Sequence, residues 1–256
     1  MQMKKEVSFG GEGGVLSGVL LLQGFVDHLE TGVAMSSSVL KLVVFDCDGT
    51  LVDSQYNIIH CMEQSFQACG LAVPEDRAVR SIIGLNLDQA IHQLMDDRDD
   101  LDLLARLVDG YKQAFQEHRL KPDHEEPLYK GTLEAIKALD AAGTLMAVAT
   151  GKSMRGLKAV VEMHDLSRYF ISLQTPDHNP GKPHPQMLEQ AMKDAGATSE
   201  NTYMIGDTSY DMMLARNAAC HAVGVSWGYH DDDVLLAAGA DHLIHSYDEL
   251  FPIVHP

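Results

Sequence analysis

Lys41-Leu-Val-Val-Phe-Asp46-Cys-Asp48-Gly-Thr-Leu-Val-Asp-Ser54 is the stretch on which the fold turns. Leu42 to Phe45 form a short apolar run, rich in Val, of the kind buried on both faces of a parallel sheet. The run stops at Asp46, and Gly49 breaks the strand just beyond it. Open α/β sheets bind ligands outside the carboxyl ends of their strands, so Asp46 and Asp48 are expected at the mouth of a cleft. Side chains alternate along an extended chain, so both carboxylates can reach one site while Cys47 turns away. Two neighbouring carboxylates repel unless a cation or a shared proton intervenes. The pair suits a hard metal ion, acid–base chemistry, or both.

Downstream of Ser54 the periodicity becomes helical. Ile58, Ile59, Met62 and Phe66 recur at helical spacing, and Ala78 to Ile83, Leu87 to Met95 and Leu101 to His118 give three further helices. Asp96 to Asp102 reads as a solvated turn and helix start. No strand pattern occurs between residues 54 and 125, which predicts an all-helical insertion directly after the first strand. Lys121 to Pro127 reads as a polar linker returning to the core. Beyond it helices and strands alternate, with strands at Leu145 to Ala149, Tyr169 to Leu173, Thr202 to Ile205, His221 to Val225 and His242 to Ile244. This alternation predicts an α/β fold with a doubly wound parallel sheet.

Three of the later strands and loops end in polar groups. Ala147-Val-Ala-Thr150-Gly151-Lys152-Ser153 closes a strand with a hydroxyl, a glycine and a helix start, which serves either an anion or an ordinary helix cap. Pro180-Gly-Lys182-Pro-His184-Pro185 is a rigid loop, and a lysine fixed there is either a solvated cation or a point charge for a phosphate. His184 reads as a surface or capping histidine. Tyr203-Met-Ile-Gly206-Asp207-Thr-Ser-Tyr-Asp211 places Asp207 at a strand tip, with Asp211 one helical turn further on and able to point back. Each aspartate alone is a good helix cap. With Asp46 and Asp48 at another strand tip, a shared Mg²⁺ site accounts for both clusters better than two unrelated caps.

The 256 residues carry 19 basic and 37 acidic side chains, a formal net charge of −18. That balance argues against nucleic acid or an anionic membrane as the main partner. Local cations would have to override it in a phosphate-binding site. Cys47, Cys61, Cys69 and Cys220 show no metal-binding spacing and read as free thiols in a reducing, cytoplasmic setting. Ahead of Met35, a glycine-rich segment and a broken apolar stretch, too short to span a bilayer, read as an upstream extension of the reading frame. The organisation expected is therefore a poorly ordered extension over residues 1–38, a core over 39–53 and 126–256, and a helical insertion over 54–125.

D-x-D-G-T at Asp46, then Thr150, Lys182 and G-D-x-x-x-D at Gly206, resemble in order and strand context the four motifs of the haloacid dehalogenase superfamily. The resemblance covers about residues 39 to 251. It implies a Rossmann-like core, with the insertion as a small α-helical cap. Asp48-Gly-Thr-Leu-Val-Asp-Ser54, Lys182-Pro-His-Pro185 and Gly84 most resemble the phosphoglycolate phosphatase branch. Gly151 departs from it, standing where many of those phosphatases have asparagine and removing a side chain expected to face the phosphate.

The resemblance implies Asp46 as nucleophile and Asp48 as general acid and base. It implies a Mg²⁺ ion between Asp46, the backbone carbonyl of Asp48 and Asp207, with Asp211 holding a metal-bound water or orienting Asp207. Thr150, Gly151 and Lys182 would bind the phosphoryl group of a small phosphorylated metabolite. Substrate selection is expected from the cap; Gly84, Asn86, Arg77 and Arg80 are candidates there, although both arginines read better as helix surface. Asp48 favours phosphoryl transfer over carbon–halogen cleavage. A sugar-phosphate mutase resembling β-phosphoglucomutase, an inorganic pyrophosphatase and a binding protein on a retired enzyme scaffold are the rivals.

Overall fold

Leu42–Phe45 form β1, and all four side chains are buried. The chain is described by a computed structural model over residues 39–122 and 124–256. The extension expected over residues 1–38 lies outside the described residues. The helical insertion follows β1 as α1 (Gln55–Ala68), α2 (Asp76–Ile82), α3 (Leu87–Leu94) and α4 (Leu101–Arg119). The core resumes with α5 (Thr132–Ala141), β2 (Leu145–Ala149), α6 (Met154–Met163), β3 (Phe170–Gln174), α7 (Gln186–Ala195) and β4 (Thr202–Gly206). It ends with α8 (Ser209–Asn217), β5 (His221–Val225), α9 (Asp232–Ala237), β6 (His242–Ile244) and α10 (Leu250–Val254).

The six strands form one parallel sheet in the order β3-β2-β1-β4-β5-β6. β1 is central, with Phe45 in register with Val148 on β2 and Ile205 on β4. Strand order reverses at this point, which opens a crevice at the carboxyl ends of β1 and β4. The alternation of β1 divides the core into two layers. Val43 and Phe45 pack with Ile136, Leu139, Leu157, Val160, Leu250 and Val254, so α5, α6 and α10 cover one face. Leu42 and Val44 pack with Met187, Leu188, Met212, Ala215 and Leu235, so α7, α8 and α9 cover the other. α10 is too short, and carries Pro252, to show a helical pattern in sequence.

The insertion has an apolar core of its own, made of Ile58, Met62, Phe66, Val79, Ile82, Ile91, Leu107 and Val108. α1 packs along α4, and Ser65 Oγ donates to the carbonyl of Leu107 at 2.6 Å. Asp100 caps α4 by accepting from Leu103 N at 2.8 Å, which explains part of the acidic run before it. Residues 81–84 meet the sheet domain: Tyr210 Oη donates to Ser81 O at 3.2 Å, and a His230 ring nitrogen pairs with the same carbonyl. Among the described residues no helix is long and apolar enough to cross a membrane.

Leu107 is fully buried where α4 meets α1, so truncation leaves a cavity that the two helices cannot close. Leu107→Ala is expected to lower unfolding free energy by about 2–4 kcal/mol, read from urea denaturation followed by circular dichroism.

Candidate active site

Asp46 follows β1 directly and donates its N–H to Ile205 O on β4 at 2.9 Å. Its carboxylate is fully buried. Oδ1 accepts from Cys47 N at 2.6 Å and lies 2.9 Å from Lys182 Nζ, whereas Oδ2 has no hydrogen-bond partner among the described residues. Burial pushes the Asp46 carboxyl up to about 7; Lys182 pulls it down, and Asp211 pushes it further up.

Asp207 and Asp211 come from the other side of the crevice. Asp207 Oδ1 accepts from Thr50 Oγ1 at 2.7 Å and Oδ2 from Tyr229 N at 3.0 Å. Burial, then the nearby Asp211 and Asp46, hold Asp207 well above the usual carboxylate range. Asp211 closes a capping box with Thr208, accepting from its N–H at 3.0 Å and its hydroxyl at 2.7 Å. This box starts α8 at Ser209. Asp211 is thus a helix cap and a member of the acidic cluster at once, so the two sequence-level alternatives coexist.

Lys182 is fully buried and bridges Asp211 Oδ1 at 2.6 Å and Asp46 Oδ1 at 2.9 Å. Burial alone would lower its pKa, but the two carboxylates overcome that and hold the ammonium firmly protonated. One carboxylate oxygen from each of Asp46, Asp207 and Asp211 lies within 4.8 Å of the others. Three buried carboxylates, all oxygen donors and one of them with an unsatisfied oxygen, fit a small hard divalent cation. The close packing leaves no freedom at Gly49, whose φ is +84° and whose missing Cβ would fall 2.1 Å from Asp207 Oδ2.

The Asp48 side chain stands apart from this cluster. Its Oδ1 accepts from Ser54 Oγ at 2.5 Å and from Lys152 Nζ at 2.8 Å. Asp46, Asp48, Thr150, Gly151 and Lys152 line a cavity of about 500 Å³ between sheet and insertion, whereas Lys182 and Asp207 lie outside its lining. Thr150 is buried, anchored by its N–H to Gln174 O at 3.1 Å, and its Oγ1 accepts from Lys152 N at 3.2 Å. Ser153, not Thr150, caps α6.

One expectation changes in detail. Gly151 does not relieve the phosphate site of a side chain: a Cβ there would meet Gly84 O at 2.6 Å and Leu85 O at 2.5 Å. The residue is small because the insertion backbone lies against it. Of the four insertion candidates, Gly84 and Asn86 line the cavity, whereas Arg77 is exposed and Arg80 pairs with Gln55 and Asp76. His184 is exposed and accepts from Gln186 N at 3.3 Å. Sequence reasoning missed Glu126, a buried carboxylate in the return linker 2.8 Å from Lys152 Nζ, and Tyr229, whose hydroxyl lies 3.4 Å from Ser54 Oγ. A glutamate in a polar linker carries no signal of burial. Ser54 itself was visible as the last residue of the opening motif.

Residues 43–225 match the profile of a family described as haloacid dehalogenase-like hydrolase. A Dickeya dadantii (strain 3937) protein named "Probable phosphatase IndB" is 33% identical over 216 residues, which cover 84% of this chain and 93% of its own. The phosphoglycolate phosphatase of Vibrio parahaemolyticus is 30% identical over 227 residues, covering 86% and 98% of the two chains. A crystal structure from Clostridium acetobutylicum, described as a predicted phosphatase, is similar with a TM-score of 0.76 at 25% identity, covering 85% of this chain and 99% of that one.

Removing one partner of a buried ion pair leaves an uncompensated charge and typically costs about 3–5 kcal/mol. Lys182→Met is therefore expected to destabilise the fold by about that amount, since Asp46 and Asp211 lose their shared ammonium. Urea denaturation in the presence of a chelator, so that no divalent cation replaces the lost charge, reads the effect.

Proposed function

The chain belongs to the haloacid dehalogenase-like hydrolases, and on that premise we propose that it is a Mg²⁺-dependent phosphatase acting on a small phosphomonoester through an aspartyl-phosphate. The observation that carries this reading is the pairing of functions around one cavity. Asp46, with a neighbouring ammonium, and Asp48, with its own hydrogen-bond partners, both open onto it.

In this reading an Asp46 carboxylate oxygen attacks phosphorus in line with the leaving oxygen. The bond from phosphorus to that oxygen breaks, and its electron pair stays on the oxygen. Asp48 delivers a proton there, releasing the alcohol and leaving Asp48 as a carboxylate. Asp48 next takes a proton from water as the water oxygen attacks phosphorus of the aspartyl-phosphate. The phosphorus–Asp46 bond breaks, inorganic phosphate departs, and both aspartates return to their starting states. Thr150 and the N–H of Gly151 bind phosphoryl oxygens, and Lys182 offsets charge on the Asp46 side. Asp46, Asp207 and the backbone carbonyl of Asp48 would hold the cation, with Asp211 fixing Lys182 and Thr208 behind them. When bound, the cation supplies charge neutralisation and Lewis acidity at the phosphoryl group.

The cavity supports a small anionic substrate. Lys112 and Arg119 from the insertion, with Lys152 and Arg155 from the sheet side, line it beside Asp46, Asp48, Asp88 and Asp177, so in a chain of formal charge −18 the lining carries as many cationic as acidic side chains. Local cations thereby offset the acidic side chains there. Residues 54–125 act as the cap in this reading, and phosphoglycolate-like compounds or sugar phosphates match a cavity of about 500 Å³. The free thiols fit a reducing, cytoplasmic setting.

The test is a phosphate-release screen over 2-phosphoglycolate, hexose phosphates, mononucleotides and pyrophosphate. Phosphate release from a monoester is expected; an isomerised sugar phosphate with no free phosphate would make the protein a mutase. Asp46→Asn is expected to retain less than about 1% of kcat while the protein stays folded by circular dichroism, because the amide is a poor nucleophile. Chelation is expected to abolish turnover and Mg²⁺ to restore it. Ca²⁺ is expected to fail, because it takes longer bonds and more ligands.

A further inference from the structure

Lys152 has no part in the steps above, yet its ammonium is one of the most constrained groups in the cavity wall. Its side chain is 8% exposed and lies 2.8 Å from Asp48 Oδ1 and 2.8 Å from Glu126 Oε1. Glu126 is buried, and its other oxygen faces Arg119 Nη2 at 3.8 Å and His124 Nε2 at 3.4 Å. Its backbone is fixed as well, since a His164 ring nitrogen pairs with Glu126 O at 2.7 Å. The Phe115 ring lies 5.4 Å from Lys152 Nζ on the insertion side. Buried ion pairs of this kind are seldom the cheapest way to stabilise a core, since apolar residues of the same volume often do as well or better. The pair has a more specific consequence: one of its members is the acid–base carboxylate.

We propose that Lys152, held by Glu126, is a positioning residue for Asp48. Lys152 Nζ and Ser54 Oγ both occupy Oδ1 of Asp48, while Oδ2 takes no hydrogen bond among the described residues. A carboxyl group anchored through one oxygen presents the other at a fixed angle. When Oδ2 carries the proton, Oδ1 remains an acceptor for both donors, so the anchor survives both halves of the reaction. In the first half the proton passes from Oδ2 to the leaving oxygen as that oxygen takes the electron pair of its broken bond to phosphorus. In the second, Oδ2 recovers a proton from the attacking water. Glu126 keeps Lys152 from swinging into the cavity to pair with substrate. Lys152 thus acts through Asp48 and not on the substrate.

The inference rests on the phosphatase reading, and the leaving group separates the two. Proton donation matters for an alkoxide leaving group and hardly at all for p-nitrophenolate, which departs without help. Steady-state kcat and KM are measured for wild type, Lys152→Met, Glu126→Gln and the double variant on β-glycerophosphate, 2-phosphoglycolate and p-nitrophenyl phosphate. The double variant removes both charges together and so keeps the test open if Lys152→Met alone does not fold. Expected is a fall in kcat on the order of 10²-fold for both alkyl phosphates, and less than about tenfold for p-nitrophenyl phosphate, with KM little changed. Glu126→Gln is expected to show the same selectivity more weakly, and the double variant to be no worse than Lys152→Met. A rise in KM confined to 2-phosphoglycolate, with kcat intact, would make Lys152 a ligand for the substrate carboxylate and overturn the proposal. Equal losses on all three substrates would make the pair purely structural and overturn it too. A wild-type enzyme inactive on every phosphomonoester would bring down the phosphatase reading itself.

Discussion

Mutual repulsion among buried carboxylates is the constraint on which the rest of the site depends. Asp46, Asp207 and Asp211 are each fully buried, and their oxygens come within 4.8 Å of one another. Lys182 supplies one positive charge among them and cannot neutralise all three. The imbalance appears as the raised pKa values of Asp46 and Asp207, for which burial is the leading cause and the neighbouring carboxylates add to it. Such an arrangement persists only because the surrounding structure leaves the carboxylates nowhere else to go. The sheet register fixes Asp46 beside β4, the Thr208 capping box fixes Asp211, and Thr50 with the Tyr229 N–H fixes Asp207. Gly49 and Gly228 are the spaces into which the Asp207 carboxylate fits, since a Cβ at either would fall 2.1 Å from an atom of that side chain.

The crevice at the strand-order reversal provides the floor of the cavity, and the insertion provides its roof. The join between them is narrow and polar. Ser81 O receives Tyr210 and His230, and the Gly84–Leu85 backbone lies against Gly151. Small residues at that join let two backbones approach, so the residue after Thr150 is selected by the insertion as much as by any ligand. The apolar core of the insertion is separate from the two core layers of the sheet, with Tyr210 and Tyr229 as the aromatic side chains that reach across to it.

The order of elements and the parallel sheet were legible because β1, β2, β4 and β5 are short continuous apolar runs and the helices keep their period. The acidic cluster was legible because its members sit at strand tips, where the pattern changes from apolar to polar. α10 was not legible, because five residues including Pro252 carry no period. Nor was the orientation of Gly151, which depends on where the insertion folds back. Glu126 shows the limit best. Nothing in Lys121 to Pro127 distinguishes a solvated glutamate from a buried one, and its partner Lys152 looked like any cation after a glycine. Long-range pairing of charges is a tertiary fact, and local pattern has no access to it.

The two lysines of the site share one design. Lys182 joins Asp46, the proposed nucleophile, to Asp211, a helix cap. Lys152 joins Asp48, the proposed acid–base group, to Glu126, a linker residue. In each case a carboxylate with chemistry to perform is tied through an ammonium to a carboxylate held by the scaffold. Together with Asp207 this gathers five buried carboxyl groups around two ammonium groups, and the raised pKa values of Asp46 and Asp207 register that crowding. Under the proposed reading, a divalent cation at the Asp46, Asp207 and Asp211 cluster would add the positive charge that a phosphoryl group needs there.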